Sequence, residues 1–491
     1  MINKTKSLKF NAFINGLRTI INLIFPIITF PYISRVLSVE EIGKYNFSVS
    51  IISYFILLAG LGINQYAVRE GAKVRESRTE MSIFASQVFS INVVSTIVSY
   101  IALFLLIFLS EKMKSYCICI LILSTQILFT TIGTEWIYSI YEEYTYITIR
   151  SIVFKIISIA LLFLFVHNEG DYLIYAAISV AAGVGSNLLN FFNAKKYCDI
   201  RFKVCFNWKS ILKPILVIFA SNIAIQIYVN SDITMLGYIS NDYSIGIYSV
   251  STKVYSIIKN VLVAVLTVTI PRFSILNGTG NQDGYENLFC KVFNILCILS
   301  IPTVIGLILL SKNVITLIAG NNYLDSKPSL CILSITILFS LFNNLLSYCV
   351  MLPNNKENEF LKCTIVSAIV NVVLNIFFMP IWNEVGAAIT TLISELLLSV
   401  MLYFESKEIV EPILKNRSIL INAKSVIISS MSMMLVCLAF NYNINSFIAQ
   451  TFVSPIISMA VYCIFLFITK NKIAISTMNS IIERFDLLKS K

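Results

Sequence analysis

Apolar runs of about 20 residues recur from one end of this sequence to the other, and each is long enough to cross a membrane as an α-helix. The runs are continuous rather than alternating, which favours helices, because a helix satisfies its own backbone hydrogen bonds in lipid. Only 13% of the 491 residues are charged, which is about half the share in a soluble protein. We predict an all-α integral membrane protein that crosses the membrane about 14 times.

The lysines and arginines between the predicted spans are divided unevenly between the two sides of the membrane. One alternate set of connections, together with both termini, carries 28 of them, including Arg150 and Lys155, whereas the opposite set carries 6. Because cytoplasmic loops retain positive residues, this division places both termini in the cytoplasm. It also attributes most of the net charge of +11 to topology and to contact with membrane lipids. Nucleic acid is not an expected partner, since the basic residues are scattered over short loops without interleaved aromatic residues.

A short pattern, I-G-x-Y-x-x-S, occurs at residues 42–48 and again at 245–251. Both copies open a predicted span from the outer side, so the two halves would share one orientation and be related by an axis along the membrane normal. The pattern therefore predicts two six-helix lobes around a central cavity, residues 1–200 and 201–405. Residues 406–491 would add two transmembrane helices and a cytoplasmic tail.

Polar residues follow one face of several predicted helices. On the first helix, Asn11, Asn15, Arg18 and Asn22 fall within roughly 60° of arc at helical spacing. Amides and hydroxyls by themselves often only join helices, but a full charge near the bilayer centre costs at least about 2.5 kcal/mol. We therefore predict that these faces line a hydrated, cationic cavity. The residues predicted to line it on other helices are Lys253, Lys259, Asn260, Asn371 and Asn375.

Two carboxylates within predicted spans leave their roles open. Asp232 either pairs with Lys253 on the next antiparallel helix or serves in ion coupling, and Glu395 either pairs with a cavity cation or takes up a proton. The single histidine, His167, argues against a histidine-based metal or catalytic site. The sequence therefore predicts no metal and no cofactor.

The connections between spans are short, and none exceeds about 20 residues, which leaves no room for a catalytic domain outside the membrane. The glycine-rich segment 278–284 lacks the Lys and Ser/Thr of a phosphate-binding loop. A cationic cavity suits an anionic cargo such as a phosphate or diphosphate. We predict a secondary transporter that works by alternating access, and not an enzyme.

The residues from Phe30 to Tyr45 read F-P-Y-x-x-R-x-L-x-x-E-E-x-G-x-Y, which resembles the first interhelical turn of Wzx-type polysaccharide flippases. These belong to the multidrug/oligosaccharidyl-lipid/polysaccharide (MOP) exporter superfamily. Arg35, Gly43 and Tyr45 belong to this structural turn motif, in which Arg35 is expected to bond to nearby carbonyl oxygens. Further stretches that resemble the family in order and spacing are Gly60-Leu61-Gly62 leading to Arg69-Glu70, Thr134-Glu135-Trp136, Asp232 to Gly237, and Gly386-Ala387-Ala388 leading to Glu395.

The resemblance implies a flippase that moves an undecaprenyl-diphosphate-linked oligosaccharide from the cytoplasmic to the outer leaflet of the bacterial cytoplasmic (inner) membrane. The cargo would serve O-antigen or capsule synthesis, and a polymerase and a chain-length regulator are possible partners. By the same resemblance, Arg18, Lys253 and Lys259 would meet the diphosphate or acidic sugars.

Two other functions remain open at the level of the sequence. A MATE-like cation or drug antiporter of the same superfamily would use Asp232 or Glu395 as its coupling carboxylate. A membrane polymerase or glycosyltransferase would need a larger outer loop than this chain offers.

Overall fold

The chain is helical in the computed structural model, which describes residues 8–202, 208–471 and 473–476, apart from the side chains of 8–13, 15, 23, 209, 221 and 417. It divides into two compact units, Met1–Ser249 and Val250–Lys491, which we call the N-terminal unit and the C-terminal unit. The helices of the N-terminal unit are α1 (Leu8–Val36), α2 (Val39–Gly60), α3 (Ile63–Val74), α4 (Arg78–Leu109), α5 (Glu111–Ser115), α6 (Cys117–Gly133), α7 (Glu135–Ile140), α8 (Tyr144–Phe165), α9 (Tyr172–Val180), α10 (Asn187–Ala194), α11 (Trp208–Ile239) and the first turns of α12 (Asp242–Thr267). The helices that follow α12 in the C-terminal unit are α13 (Ile270–Gly278), α14 (Gln282–Leu309), α15 (Ser311–Ile318), α16 (Lys327–Asn344), α17 (Glu357–Glu405), α18 (Lys407–Leu414), α19 (Arg417–Asn443) and α20 (Ser454–Ile468).

Twelve helical segments in the described ranges are long and apolar enough to cross a membrane. The prediction of an all-α membrane protein is therefore confirmed. Two features bear on the predicted number of fourteen spans. Helix α6 is apolar but has only 17 residues, and α17 has 49 residues with a break at Asn383, where φ is +46°. Fourteen spans would result if α6 crosses the membrane once and α17 crosses it twice, and that number stays a prediction.

The turn between α1 and α2 is held by side-chain bonds to the backbone. The Arg35 guanidinium donates a hydrogen bond of 2.5 Å to the carbonyl oxygen of Pro31, as the sequence predicted for this arginine. Ser38 begins α2 with a reciprocal cap, in which its hydroxyl accepts from the Glu41 N–H and the Glu41 carboxylate accepts from the Ser38 N–H. The turn motif is therefore built to stop one helix and start the next.

The glycines of the two I-G-x-Y-x-x-S copies each pack against the backbone of the helix that carries the other copy. A Cβ atom on Gly43 would overlap the carbonyl oxygen of Asp242, the first residue of α12. A Cβ atom on Gly246 would overlap the carbonyl oxygen of Val39, the first residue of α2. Each of these carbonyls lies four residues before the glycine of its own copy, so the contact is reciprocal. The backbones of α2 and α12 therefore touch directly, which only glycine permits.

Packing in the N-terminal unit extends beyond the first predicted lobe. Helix α11 packs against α2 and α3, so residues 208–239 belong by contact to the N-terminal unit. Tyr45 of the turn motif packs against Tyr175 of α9, with ring centroids 4.5 Å apart. The division at residues 200 and 405, which rests on the repeat, stays a prediction.

The last two helices of the chain join the C-terminal unit through α14. Helix α19 packs against α14 and α20, and the Tyr462 hydroxyl donates to the carbonyl oxygen of Ile298 at 2.7 Å. Small residues on α19, among them Ser429 and Ser430, are buried and allow this close approach.

Candidate functional site

Arg18 of α1 forms an ion pair with Glu135 of α7. Its Nη2 lies 2.6 Å from the Glu135 Oε1, and the two side chains are 29% and 32% exposed. Glu135 reaches this position because Thr134, with φ of +38°, ends α6 and lets a new helix start at the next residue. The only charge predicted for the polar face of the first helix thus has a defined partner, 117 residues along the chain.

Helix α8 adds two cations beside this pair. The Lys155 ammonium donates to the side-chain oxygen of Asn22, and the Arg150 guanidinium lies 5.8 Å from the ring centroid of Tyr146. Both are near enough to Arg18 for their like charges to repel, and Arg150 is also attracted to the Glu135 carboxylate. We call Arg18, Arg150 and Lys155, together with the carboxylate of Glu135, the N-terminal basic cluster. Three cations face one carboxylate, so the cluster has a net positive charge.

Arg150 is the least satisfied member of the cluster. Only 7% of the residue is exposed, and its Nε and Nη1 atoms have no hydrogen-bond partner among the described residues. Buried polar atoms without partners are uncommon in proteins and call for an explanation. An anion bound beside Arg150 would supply the missing acceptor oxygens.

The sequence analysis predicted only part of this cluster. Arg18 and Asn22 do lie on the side of α1 that meets α8, but the side chains of Asn11 and Asn15 fall outside the described part of the chain. Arg150 and Lys155 were attributed to a cytoplasmic connection, and that assignment is wrong, because both lie within α8. Their position inside an apolar run was the signal that could have revealed them.

The C-terminal unit holds a second charged site. Lys259 of α12 lies 3.7 Å from Glu395 of α17, whose side chain is 5% exposed. The other carboxylate oxygen of Glu395 accepts a hydrogen bond of 2.6 Å from the Asn343 amide, which is oriented in turn by the Ser399 hydroxyl at 2.6 Å. The Lys259 ammonium also lies 5.4 Å from the ring centroid of Tyr255. The sequence left two roles open for Glu395, pairing with a cation or uptake of a proton. In this structure Glu395 is paired with Lys259.

Other residues predicted for the cavity lining differ in their surroundings. Asn371 and Asn375 are buried, and Asn375 donates to Asn371 at 3.3 Å and accepts from Thr390 across the break in α17. The bond from Thr390 to Asn375 joins the two arms of α17. Asn260 is exposed and Lys253 is partly exposed on α12. All four stay predictions as contacts for a cargo.

Asp232 of α11 is buried and accepts a hydrogen bond of 2.9 Å from the Tyr248 hydroxyl. This bond joins α11 to the first turns of α12 inside the N-terminal unit. The predicted pairing of Asp232 with Lys253 and its predicted role in ion coupling both stay predictions.

Replacing Lys259 with Met should lower the free energy of unfolding by about 3 kcal/mol, because it leaves the buried Glu395 carboxylate without its cation. Equilibrium unfolding of the purified protein in detergent measures the change. The double variant Lys259→Met with Glu395→Gln should recover most of the loss, and Lys312→Met, at an exposed position of α15, should have little effect. A single Lys259→Met variant as stable as the parent would contradict this interpretation of the pair.

Comparison with known proteins places the chain in a family. The chain matches the family described as polysaccharide biosynthesis protein over residues 8–277, more than half of its length. It is 26% identical over 391 residues to a putative O-antigen transporter of Escherichia coli K12, covering 78% of this chain and 93% of the relative. It is 23% identical over 381 residues to the capsular polysaccharide biosynthesis protein CapF of Staphylococcus aureus, covering 75% of this chain and 92% of the relative.

Two solved structures share the fold of this chain. The lipid II flippase MurJ in its inward closed conformation has a TM-score of 0.69 at 18% identity and covers 93% of this chain and 97% of its own. An inward-facing MATE family multidrug transporter of the MOP superfamily has a TM-score of 0.59 at 13% identity, with 82% and 96% covered. The family resemblance found in the sequence motifs is confirmed, as is the expectation of a transport protein rather than an enzyme. The chain therefore belongs to the polysaccharide biosynthesis protein family.

Proposed function

We propose that this protein moves an undecaprenyl-diphosphate-linked oligosaccharide from the cytoplasmic to the outer leaflet of the bacterial cytoplasmic membrane, with both of its termini in the cytoplasm. The observation that carries the proposal is the N-terminal basic cluster, which places three cations and one carboxylate on helices that include apolar, membrane-length segments. Such a charge excess is costly in a membrane unless it meets an anion.

A diphosphate fits the cluster better than a single carboxylate does. It carries more charge and more acceptor oxygens than Glu135, and arginine guanidinium groups bind phosphate oxygens through two parallel hydrogen bonds. In the structure, Glu135 forms an ion pair with Arg18, while the Nε and Nη1 atoms of Arg150 have no acceptor among the described residues. Binding of the diphosphate would displace Glu135 from Arg18 and satisfy Arg150, and release would restore the ion pair.

Transport would then follow from alternating access, in which rocking of two lobes exposes a hydrated path first to one side of the membrane and then to the other. The saccharide would pass through that path while the prenyl chain stays in lipid. An apolar groove of about 400 Å³ between α2, α4 and α11 of the N-terminal unit suits a prenyl or acyl chain. Its walls include Leu58, Val94, Trp208 and Leu216.

The cargo would serve O-antigen or capsule synthesis, alongside a polymerase and a chain-length regulator. A MATE-like antiporter is the less favoured alternative, because Glu395, one of its two candidate coupling carboxylates, is engaged by Lys259 and Asn343.

Deleting the gene should cause lipid-linked repeat units to accumulate on the cytoplasmic leaflet and should remove the surface polysaccharide. Expression of this protein should restore export, because no other step of synthesis depends on it in this proposal. Surface glycan is measured by immunoblotting, and leaflet distribution by the access of an added glycosidase to intact spheroplasts. A deletion strain with normal surface glycan but raised sensitivity to cationic drugs would support the antiporter instead.

A further inference from the structure

Two helix breaks of the N-terminal unit meet at one cavity of about 330 Å³. Helix α2 passes into α3 at Leu61 and Gly62, which both have positive φ, and α6 passes into α7 at Thr134. Helices α4, α10 and α11 complete the wall. The breaks coincide with two of the short motifs that the sequence shares with flippases, Gly60-Leu61-Gly62 and Thr134-Glu135-Trp136. None of the proposed diphosphate contacts lines this cavity, although Glu135, which the diphosphate would displace from Arg18, lies on its wall.

The polar lining of the cavity consists mainly of carboxamides and hydroxyls. Carboxamides both donate and accept hydrogen bonds, as sugar hydroxyls do, and they carry no charge. Such a lining suits a neutral, hydroxyl-rich ligand better than a metal ion or a second anion, which would need several carboxylates or cations. The volume falls within the range of small-molecule sites, about 300–1,000 Å³. The carboxamides on the wall are Asn64, Gln65, Asn92, Asn187 and Asn222.

Asn187 is a buried residue on the wall of this cavity. The residue is 6% exposed, and it packs so closely on Gly133 that a Cβ atom there would overlap its amide group. Its side chain lines the cavity and has no hydrogen-bond partner in the described ranges. Asn92 differs, because its amide donates to the carbonyl oxygen of Ala59 at 2.8 Å. A buried amide that lacks a protein partner and borders a polar cavity is positioned to bond to an occupant.

The cavity adjoins the N-terminal basic cluster through Glu135. This carboxylate lines the cavity and also bonds to Arg18 at 2.6 Å. We propose that the cavity binds a sugar of the cargo headgroup, so that recognition of the saccharide accompanies recognition of the diphosphate. This inference rests on the proposed flippase function and adds a saccharide-binding site to it. Asn187 would bond to the sugar hydroxyls, and the indole of Trp136 would supply an apolar wall.

Binding of two lipids to the full-length protein in lipid nanodiscs tests the proposal. The probes are undecaprenyl diphosphate and the lipid-linked repeat unit extracted from the deletion strain. The unaltered protein should bind the glycosylated lipid at least about tenfold more tightly than undecaprenyl diphosphate. Asn187→Leu and, separately, Asn64→Leu should reduce this preference about tenfold and leave the affinity for undecaprenyl diphosphate unchanged.

The two variants protect the test against a failure to fold. Asn64 is exposed, so its replacement does not disturb the core, and leucine keeps the approximate shape of asparagine at the buried position of Asn187. Asn358→Leu, at an exposed position of α17, is the matched control and should retain the full preference.

Several results would overturn the proposal. An unaltered protein that binds both lipids equally would exclude a saccharide site while leaving the flippase function intact. If both variants kept the full preference for the glycosylated lipid, this cavity would be excluded as the saccharide site. If the variants lost affinity for both lipids equally, the asparagines would have a structural role instead. If the unaltered protein bound neither lipid, the flippase function would fail and this inference with it.

Discussion

Replacing Arg150 with Met should abolish export of surface polysaccharide and, at the same time, raise the resistance of the purified protein to heat. The guanidinium is almost fully buried, and two of its nitrogen atoms have no acceptor among the residues described. An unsatisfied buried polar group costs about 1–3 kcal/mol, and an apolar side chain of similar size removes that cost. A residue retained for stability would show the opposite change.

Two measurements on the same variant check this expectation. Immunoblotting of surface glycan in the complemented deletion strain measures export, and thermal unfolding in detergent measures stability. Arg150→Lys keeps the charge and should retain part of the export, although lysine cannot donate two parallel hydrogen bonds to phosphate. Lys73→Met removes a cation from a side chain that is 67% exposed and should leave both quantities near their starting values. Normal export by Arg150→Met would contradict the proposed role, and lost export with a lower melting temperature would indicate a structural role.

Replacing Gly43 with Val should prevent accumulation of folded protein in the membrane. The new side chain would overlap the backbone carbonyl of Asp242, and a backbone group at the start of a helix cannot move aside as a flexible side chain can. Overpacking of a well-packed site costs about 1–3 kcal/mol, and the cost is higher where the obstacle is backbone. Gly246→Val should have a comparable effect, because its overlap with the carbonyl of Val39 is the reciprocal contact.

The chain offers a matched control for these glycines. A Cβ atom on Gly16, within α1, would meet no atom of another described segment within 4 Å, so Gly16→Val should leave folding and membrane yield nearly unchanged. Yield and monodispersity on size-exclusion chromatography in detergent report the outcome. Normal yields for both Gly43→Val and Gly246→Val would show that α2 and α12 do not depend on direct backbone contact.

The sequence predicted the helical membrane fold, the family and the contact of Arg35 with a nearby carbonyl oxygen. It also identified Arg18 and Lys259 as unusual charges, because each interrupts an apolar helix. It left Glu395 undecided between a cation partner and a proton, and it assigned Arg150 to a connection. The role of Glu395 depends on which helices are neighbours, and helix order along the chain does not determine that. Arg150 could have been found from its position inside an apolar run.

Residue type and spacing by themselves determined that the chain enters a membrane as helices, that one face of α1 is polar, and that two segments share a glycine-containing pattern. These are local properties, since hydrophobicity belongs to each residue and the period of 3.6 belongs to each helix. Only the tertiary structure decided that Glu135 meets Arg18, that α8 brings Arg150 and Lys155 to the same cluster, and that two helix breaks enclose a cavity beside it. The contacts of Arg18 with Glu135 and of Lys155 with Asn22 join residues more than 100 positions apart. All of these arrangements arise from how helices pack, which no local pattern encodes.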